Sequence, residues 1–220
     1  MKPFQKSFTQ TVGYQYLLFL PEGYLDSREN WPAILFLHGA GERGNDINKV
    51  KTHGIPKVAV KRDRFPFIAV SPQCPMGEFW VSDMLIELLN EVEEAHRVDR
   101  DRVYLTGISM GGYAAWQLAI ENPERFAALV PICGGGNPDE VCRIRHLPTW
   151  VFHGAKDPIV PLSESEEMVN ALKRCGGNVR FAVYPHAGHD SWTETYDNPE
   201  LYEWLLQHRI QPVSPEGRGP

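Results

Sequence analysis

One serine in this sequence stands between glycines, in the run Gly107-Ile108-Ser109-Met110-Gly111-Gly112. A hydroxyl is a weak nucleophile, and it becomes a useful one when a base takes its proton and a third group orients that base. Residues of both kinds follow in chain order. Asp157 lies in His153-Gly154-Ala155-Lys156-Asp157-Pro158-Ile159-Val160-Pro161, and His189 lies in Pro185-His186-Ala187-Gly188-His189-Asp190-Ser191-Trp192. Serine, then acid, then histidine is the order in which one large fold class presents such a triad. Together the three could carry out acyl transfer: attack on a carbonyl, a tetrahedral oxyanion, and an acyl-serine resolved by water.

Rivals exist for two of these roles. His186 directly follows a strand-like run, whereas His189 comes after Gly188 and can swing back over the serine, so His189 is the expected base. Asp139 and Glu140 are the alternative acids, and Asp190 is expected to point away into solvent. The oxyanion needs two N–H donors. The amide of Met110, directly after the nucleophile, is one candidate. The other is the amide of Ala40, in the loop His38-Gly39-Ala40-Gly41-Glu42-Arg43-Gly44. In that loop His38 is expected to fix the backbone, and Glu42 and Arg43 to pair with each other, with contact to a substrate as the alternative. Trp80, Tyr113 and Trp192 are candidate substrate-binding residues. The histidines match no zinc spacing, and Gly134-Gly135-Gly136 lacks the GxGxxG pattern of a dinucleotide site. No metal or other cofactor is therefore expected, and the three glycines should pack a tight turn near the acyl pocket.

The elements that must hold these residues can be read from the apolar pattern. Ala33–Leu37 is uniformly apolar, as a strand covered on both faces is. Strand-like runs also occur at Tyr14–Leu20, Phe67–Val70, Val103–Thr106, Ala127–Ile132, Thr149–Phe152 and Val179–Tyr184. Between them fall helical stretches at Ser82–His96, with Ser82 as its candidate N-cap, and at Gly112–Glu121, Ser163–Cys175 and Pro199–His208. Alternation of this kind implies a mostly parallel central sheet with helices on both faces. In such a sheet, ligands bind beyond the carboxyl ends of the strands, where Ser109, Asp157 and His189 all fall.

Composition bounds what surrounds that core. The 220 residues carry 42% hydrophobic and 23% charged side chains and a net charge of −6. That balance argues against nucleic acid or an anionic membrane as the main partner. One domain is expected over residues 1–211, with a disordered tail over 212–220. No signal peptide is apparent and no apolar run is long enough to cross a bilayer. A cytoplasmic location is the default, and a domain excised from a secreted protein is the alternative. Cys74, Cys133, Cys142 and Cys175 show no CxxC spacing and are expected as reduced, mostly buried thiols.

The four motifs around His38–Gly44, Gly107–Tyr113, Pro131–Gly136 and Gly188–Trp192 resemble serine esterases of the α/β-hydrolase superfamily. The resemblance is to the predicted peptidase or phospholipase/carboxylesterase-like group, which is similar to feruloyl esterases and polyhydroxyalkanoate depolymerases. It spans residues 14–206. It implies an α/β-hydrolase fold in a minimal form without a large lid, a triad of Ser109, Asp157 and His189, and an oxyanion hole at Ala40 and Met110. The expected activity is hydrolysis of small, short-chain or soluble, possibly aromatic, carboxylic esters. A serine peptidase or acyltransferase with the same triad, or a noncatalytic module on this scaffold, are the alternatives.

Overall fold

The computed structural model describes residues 13–61 and 65–210, so the tail expected over 212–220 lies outside the described residues. Among the described residues, seven strands form one sheet in the order β1-β3-β2-β4-β5-β6-β7. They are β1 (Gln15–Phe19), β2 (Trp31–Leu37), β3 (Ile68–Gln73), β4 (Val98–Ile108), β5 (Ala128–Ile132), β6 (Thr149–Gly154) and β7 (Val179–Tyr184). Only β1 runs antiparallel to its neighbour, and every other pair is parallel. Among the described residues, six α-helices accompany them: α1 (Gly54–Lys61), α2 (Ser82–Ala95), α3 (Met110–Glu121), α4 (Leu162–Arg174), α5 (Trp192–Asp197) and α6 (Pro199–Leu206).

The period of two along a strand sorts the core into two halves. On β2, Ala33, Leu35 and Leu37 meet Leu85 and Leu89 of α2, Trp116 of α3 and Met168 of α4. Ile34 and Phe36 face the other way, onto Ile55 of α1, Tyr196 of α5 and Leu201 and Trp204 of α6. Both faces of β2 are thus fully buried, which is why its sequence is apolar without alternation. Each such aliphatic side chain contributes about 1.5–3 kcal/mol on burial.

Three sequence expectations change. The strand expected at Val103–Thr106 begins at Val98, which pairs with Trp31; Asp99-Arg100-Asp101-Arg102 then bulge out, partly exposed, before Val103 pairs with Ala33. Ser82 is the first helical residue rather than the cap. The extended residue before it is Val81, whose N–H is taken by the Tyr14 hydroxyl. The cysteines divide: Cys74 and Cys133 are buried thiols, but Cys142 and Cys175 form a disulfide with Cα atoms 5.7 Å apart. That bond joins the 3-10 turn Val141–Ile144 to the end of α4, a contact created by α4 folding back along the sheet and absent from any local spacing.

Candidate active site

Ser109 sits where β4 hands over to α3, with φ +52° and ψ −117°. A non-glycine residue there carries a strain of order 1–3 kcal/mol, sustained because its surroundings allow no alternative. A Cβ on Gly107 would lie 2.1 Å from the Gly111 carbonyl oxygen, and one on Gly111 would lie 2.0 Å from the Leu37 oxygen. The two glycines of the G-x-S-x-G run are therefore required by backbone contact. They allow a turn sharp enough to push the hydroxyl out of the sheet. The Ser109 N–H is held by the Ile132 carbonyl at 3.0 Å, and its own carbonyl accepts from Gly112 and Tyr113.

The structure brings the three predicted chemical residues together. Ser109 Oγ lies 3.0 Å from His189 Nε2, and His189 Nδ1 lies 2.7 Å from Asp157 Oδ2. A carboxylate only accepts, so Nδ1 carries the proton and Nε2 is free to receive the serine's. Asp157 Oδ1 accepts from the N–H groups of Ile159 and Val160, at 2.8 and 2.9 Å. Burial alone would raise its carboxyl. The hydrogen bonds from His189, Val160 and Ile159 outweigh that and hold it below its ordinary value. Acid and base loops are joined by Lys156 N–H donating to Ala187 O. The join is close enough that a Cβ on Gly154 would lie 2.1 Å from the Gly188 oxygen.

The rivals fall elsewhere. His186, Asp139 and Glu140 are exposed outside this chain of contacts. Asp190 does turn away from the base, but it accepts from both the N–H and the hydroxyl of Thr193 and so anchors the first turn of α5.

The loop His38–Gly44 lies against Ser109, since a Cβ on Gly39 would be 3.6 Å from Ser109 Cβ. Ala40 opens a 3-10 turn and Met110 opens α3, so neither N–H has an acceptor inside its own helix. Ala40 follows Gly39, which abuts Ser109, and Met110 directly follows Ser109 in the chain. His38 fixes this loop as expected. Its Nδ1–H donates to Gly39 O at 2.6 Å and its Nε2 accepts from Cys74 N–H at 2.9 Å, which fixes a neutral tautomer. Burial, helped by the charge of Arg43, lowers its pKa to about 4 against the opposing pull of the Gly39 carbonyl.

The expected Glu42–Arg43 pair does not form. Glu42 faces His38 and His53, at 3.9 and 3.8 Å, and Arg43 instead donates to the carbonyls of Ala40 and Glu78. Buried His38 and partly exposed His53 flank Glu42, while Arg43 lies over the Phe79 ring.

The three candidate substrate residues divide. Trp80 is buried, donates its indole N–H to His38 O at 3.2 Å and packs edge-on against the His38 ring. It braces the oxyanion-loop candidate His38–Gly44 from behind. Tyr113 lies half-buried on the first turn of α3, donating to Glu164 at 3.1 Å, and burial first of all pushes its hydroxyl up to about 12. Trp192 packs edge-on against His189 and also against His53, with centroids 5.2 and 5.5 Å away. His53, in a stretch with no motif, had no signal by which the sequence could place it here.

Cys133, Asp157 and His189 put potential ligand atoms within 4.8 Å of one another. The fit to a metal is poor. Burial pushes the Cys133 thiol up to about 12, which opposes the thiolate a metal needs, and Asp157 and His189 already share a proton.

A model of the dienelactone hydrolase family matches residues 76–202. "Probable feruloyl esterase C" of Aspergillus terreus is 26% identical over 181 residues, which are 75% of this chain and 63% of that protein. A crystallised thermostable esterase superposes with a TM-score of 0.76 at 34% identity, over 88% of this chain and 59% of that one. A ferulic acid esterase structure shares the fold with a TM-score of 0.66 at 20% identity, over 86% and 89% of the two chains. The chain thus spans about three fifths of the feruloyl esterase and of the thermostable esterase.

Proposed function

Because this chain belongs to the dienelactone hydrolase family of the α/β-hydrolases, we propose that it is a serine carboxylesterase working through an acyl-enzyme, with Ser109, His189 and Asp157 as its triad. The observation that carries the reading is the unbroken relay from Ser109 Oγ to His189 Nε2 at 3.0 Å and from His189 Nδ1 to Asp157 Oδ2 at 2.7 Å.

His189 takes the Ser109 proton as the hydroxyl oxygen bonds to the ester carbonyl carbon, and the carbonyl electrons move onto oxygen. The N–H groups of Ala40 and Met110 receive that oxyanion; each is worth on the order of 3 kcal/mol in the transition state. Collapse expels the alcohol, which leaves with the proton from His189. A water then gives a proton to His189 as its oxygen bonds to the acyl carbon; the acyl–Oγ bond breaks, the proton on His189 returns to Ser109 Oγ and the acid departs. Asp157 keeps the imidazole in the right tautomer and stabilises its cation.

The substrates proposed are short-chain or soluble esters, aromatic acyl groups included. Support comes from an open rim: Ala40 and Gly41 are exposed and Ser109 half-buried. Phe79, beside the oxyanion loop, is 70% exposed, and Ile159, in the acid loop, is 67% exposed. Trp192, packed edge-on against His189, adds an aromatic wall beside the base. Labelling with a fluorophosphonate followed by peptide mapping tests the chemistry. Label should appear on Ser109, and Ser109→Ala should lose both label and ester hydrolysis by about a millionfold in kcat. Label on another residue, or hydrolysis undiminished in Ser109→Ala, would overturn it.

A further inference from the structure

His153 closes β6 four residues before Asp157, with its side chain fully buried. Its Nε2 lies 2.9 Å from Val160 O and 3.4 Å from Asp157 Oδ2. Both are acceptors, so this nitrogen carries a proton and shares it, mainly with Val160 and as a longer branch with Asp157. On the other side of the ring, Nδ1 lies 2.7 Å from Ser165 Oγ at the head of α4, and that oxygen lies 2.8 Å from Gly134 O after β5. The ring thereby links the acid loop to α4, and the one proton of the Ser165 hydroxyl is shared between Nδ1 and the Gly134 carbonyl.

We propose that His153 is a positioning residue for the triad acid, holding the Asp157 carboxylate in the orientation that His189 needs. The inference rests on the triad reading above. Asp157 Oδ1 is gripped by the N–H groups of Ile159 and Val160, so the carboxylate's direction follows the conformation of the 157–160 turn. His153 holds that turn from outside: it fixes the carbonyl of Val160, the same residue whose N–H grips Oδ1. Its branch to Oδ2 reaches the very oxygen that receives the His189 proton. Without it, the turn keeps its two internal bonds but can rock about them, and His189 Nε2 loses its alignment on Ser109. A misplacement of about 1 Å at such a site costs about 100-fold in rate.

The test compares the full-length protein with His153→Phe, which fills the space without a donor, and His153→Gln, whose amide can reach the Nε2 position. Active sites are counted by fluorophosphonate titration and kinetics measured on a nitrophenyl ester. His153→Phe should lower kcat per titrated site about 10- to 100-fold with KM changed less than about twofold, and His153→Gln should recover most of the loss. The far-downfield proton resonance of the His189–Asp157 bond, identified by its loss in His189→Gln, should move in His153→Phe and return in His153→Gln. A merely structural residue would lower the melting temperature and the titrated fraction while leaving kcat per site and the resonance unmoved, and that result would overturn the inference. Should His153→Phe not fold, His153→Asn takes its place. Its amide reaches only the level of Nδ1, and equal kcat in the Asn and Gln variants would equally overturn it. A wild-type protein that neither labels on Ser109 nor shows the resonance would defeat the triad reading itself, whereas label and resonance unaffected by His153 defeat only this step.

Discussion

Both oxygens of Asp157 are committed, one to two backbone N–H groups and the other to His189. An amide in its place would present a donor to His189 Nδ1 on one rotamer and so favour the tautomer that cannot accept the serine proton. Asp157→Asn should therefore keep the fold and lower kcat about 10,000-fold, measured per site on a nitrophenyl ester. A loss under tenfold would mean that another group is the acid. His38 yields a second expectation at this scale. Its pKa falls from an unfolded value near 6.5 to about 4 in the folded protein, so the unfolded chain binds more protons between those values. Its contribution to stability is complete above about pH 6.5 and drains away as pH falls towards 4, by on the order of 3 kcal/mol. Denaturant melts across that window should show the slope, and His38→Gln should flatten it; an equal slope in the variant would exclude His38 as its source. Ser109, Asp157 and His189 were legible because their chemistry forces order and neighbours: small residues round the nucleophile, a flexible glycine before the base. Trp80, Glu42 and Arg43 were not, since which way a loop side chain turns depends on partners that only the folded loop supplies.

At the level of elements, α4 is the piece on which the acid side of the site depends. Its first turn carries Glu164 and Ser165, bound to Tyr113 and His153, and its last residue precedes Cys175. The disulfide to Cys142 closes a loop of 33 residues. Such a link stabilises by ~3–4 kcal/mol on the chain-entropy account. Cys142→Ala with Cys175→Ala, or reduction of the native protein, should lower the melting temperature by about 10 °C. Because Ser165 is held independently of the disulfide, kcat at room temperature should change little; a parallel collapse of activity would mean that the link also aligns the acid. Strands and long helices were legible through period and uniform apolarity. Two helices were not. Helix α1 has an apolar face in Ile55 and Val58 but only eight residues, opening on Gly54 and Pro56, and α5 is six residues of largely polar character, so neither is long enough for a helical period to stand out in the sequence. Tertiary packing makes them: Ile55 and Tyr196 meet in the core half on the α1 side of the sheet, and Tyr196 also bonds Thr106 of β4 at 2.7 Å.

Across the whole molecule, the parallel sheet delivers the loops after β2, β4, β6 and β7 to one edge, and the site is their meeting point. The residues flanking it are exposed: Met76 and Phe79 after β3 at 69% and 70%, and Ile159 after β6 at 67%. This shape sets how rate should depend on acyl length. Burying a methylene is worth about 0.8 kcal/mol, or about fourfold in kcat/KM, only while there is a wall to bury it against. A tunnel or a closed lid would extend that gain along the chain, giving a steady rise from two-carbon to sixteen-carbon nitrophenyl esters. A rim of a few exposed side chains supports the first methylenes and then leaves the rest in water. The logarithm of kcat/KM should therefore level off or fall beyond short chains. An aromatic acyl group, flat enough to rest on Phe79 or Ile159, should compare with the best of them. A continued rise to the longest ester would require a covering surface that the described residues do not provide, and it would replace the open-site reading with one in which another part of the protein, or a partner, closes over Ser109.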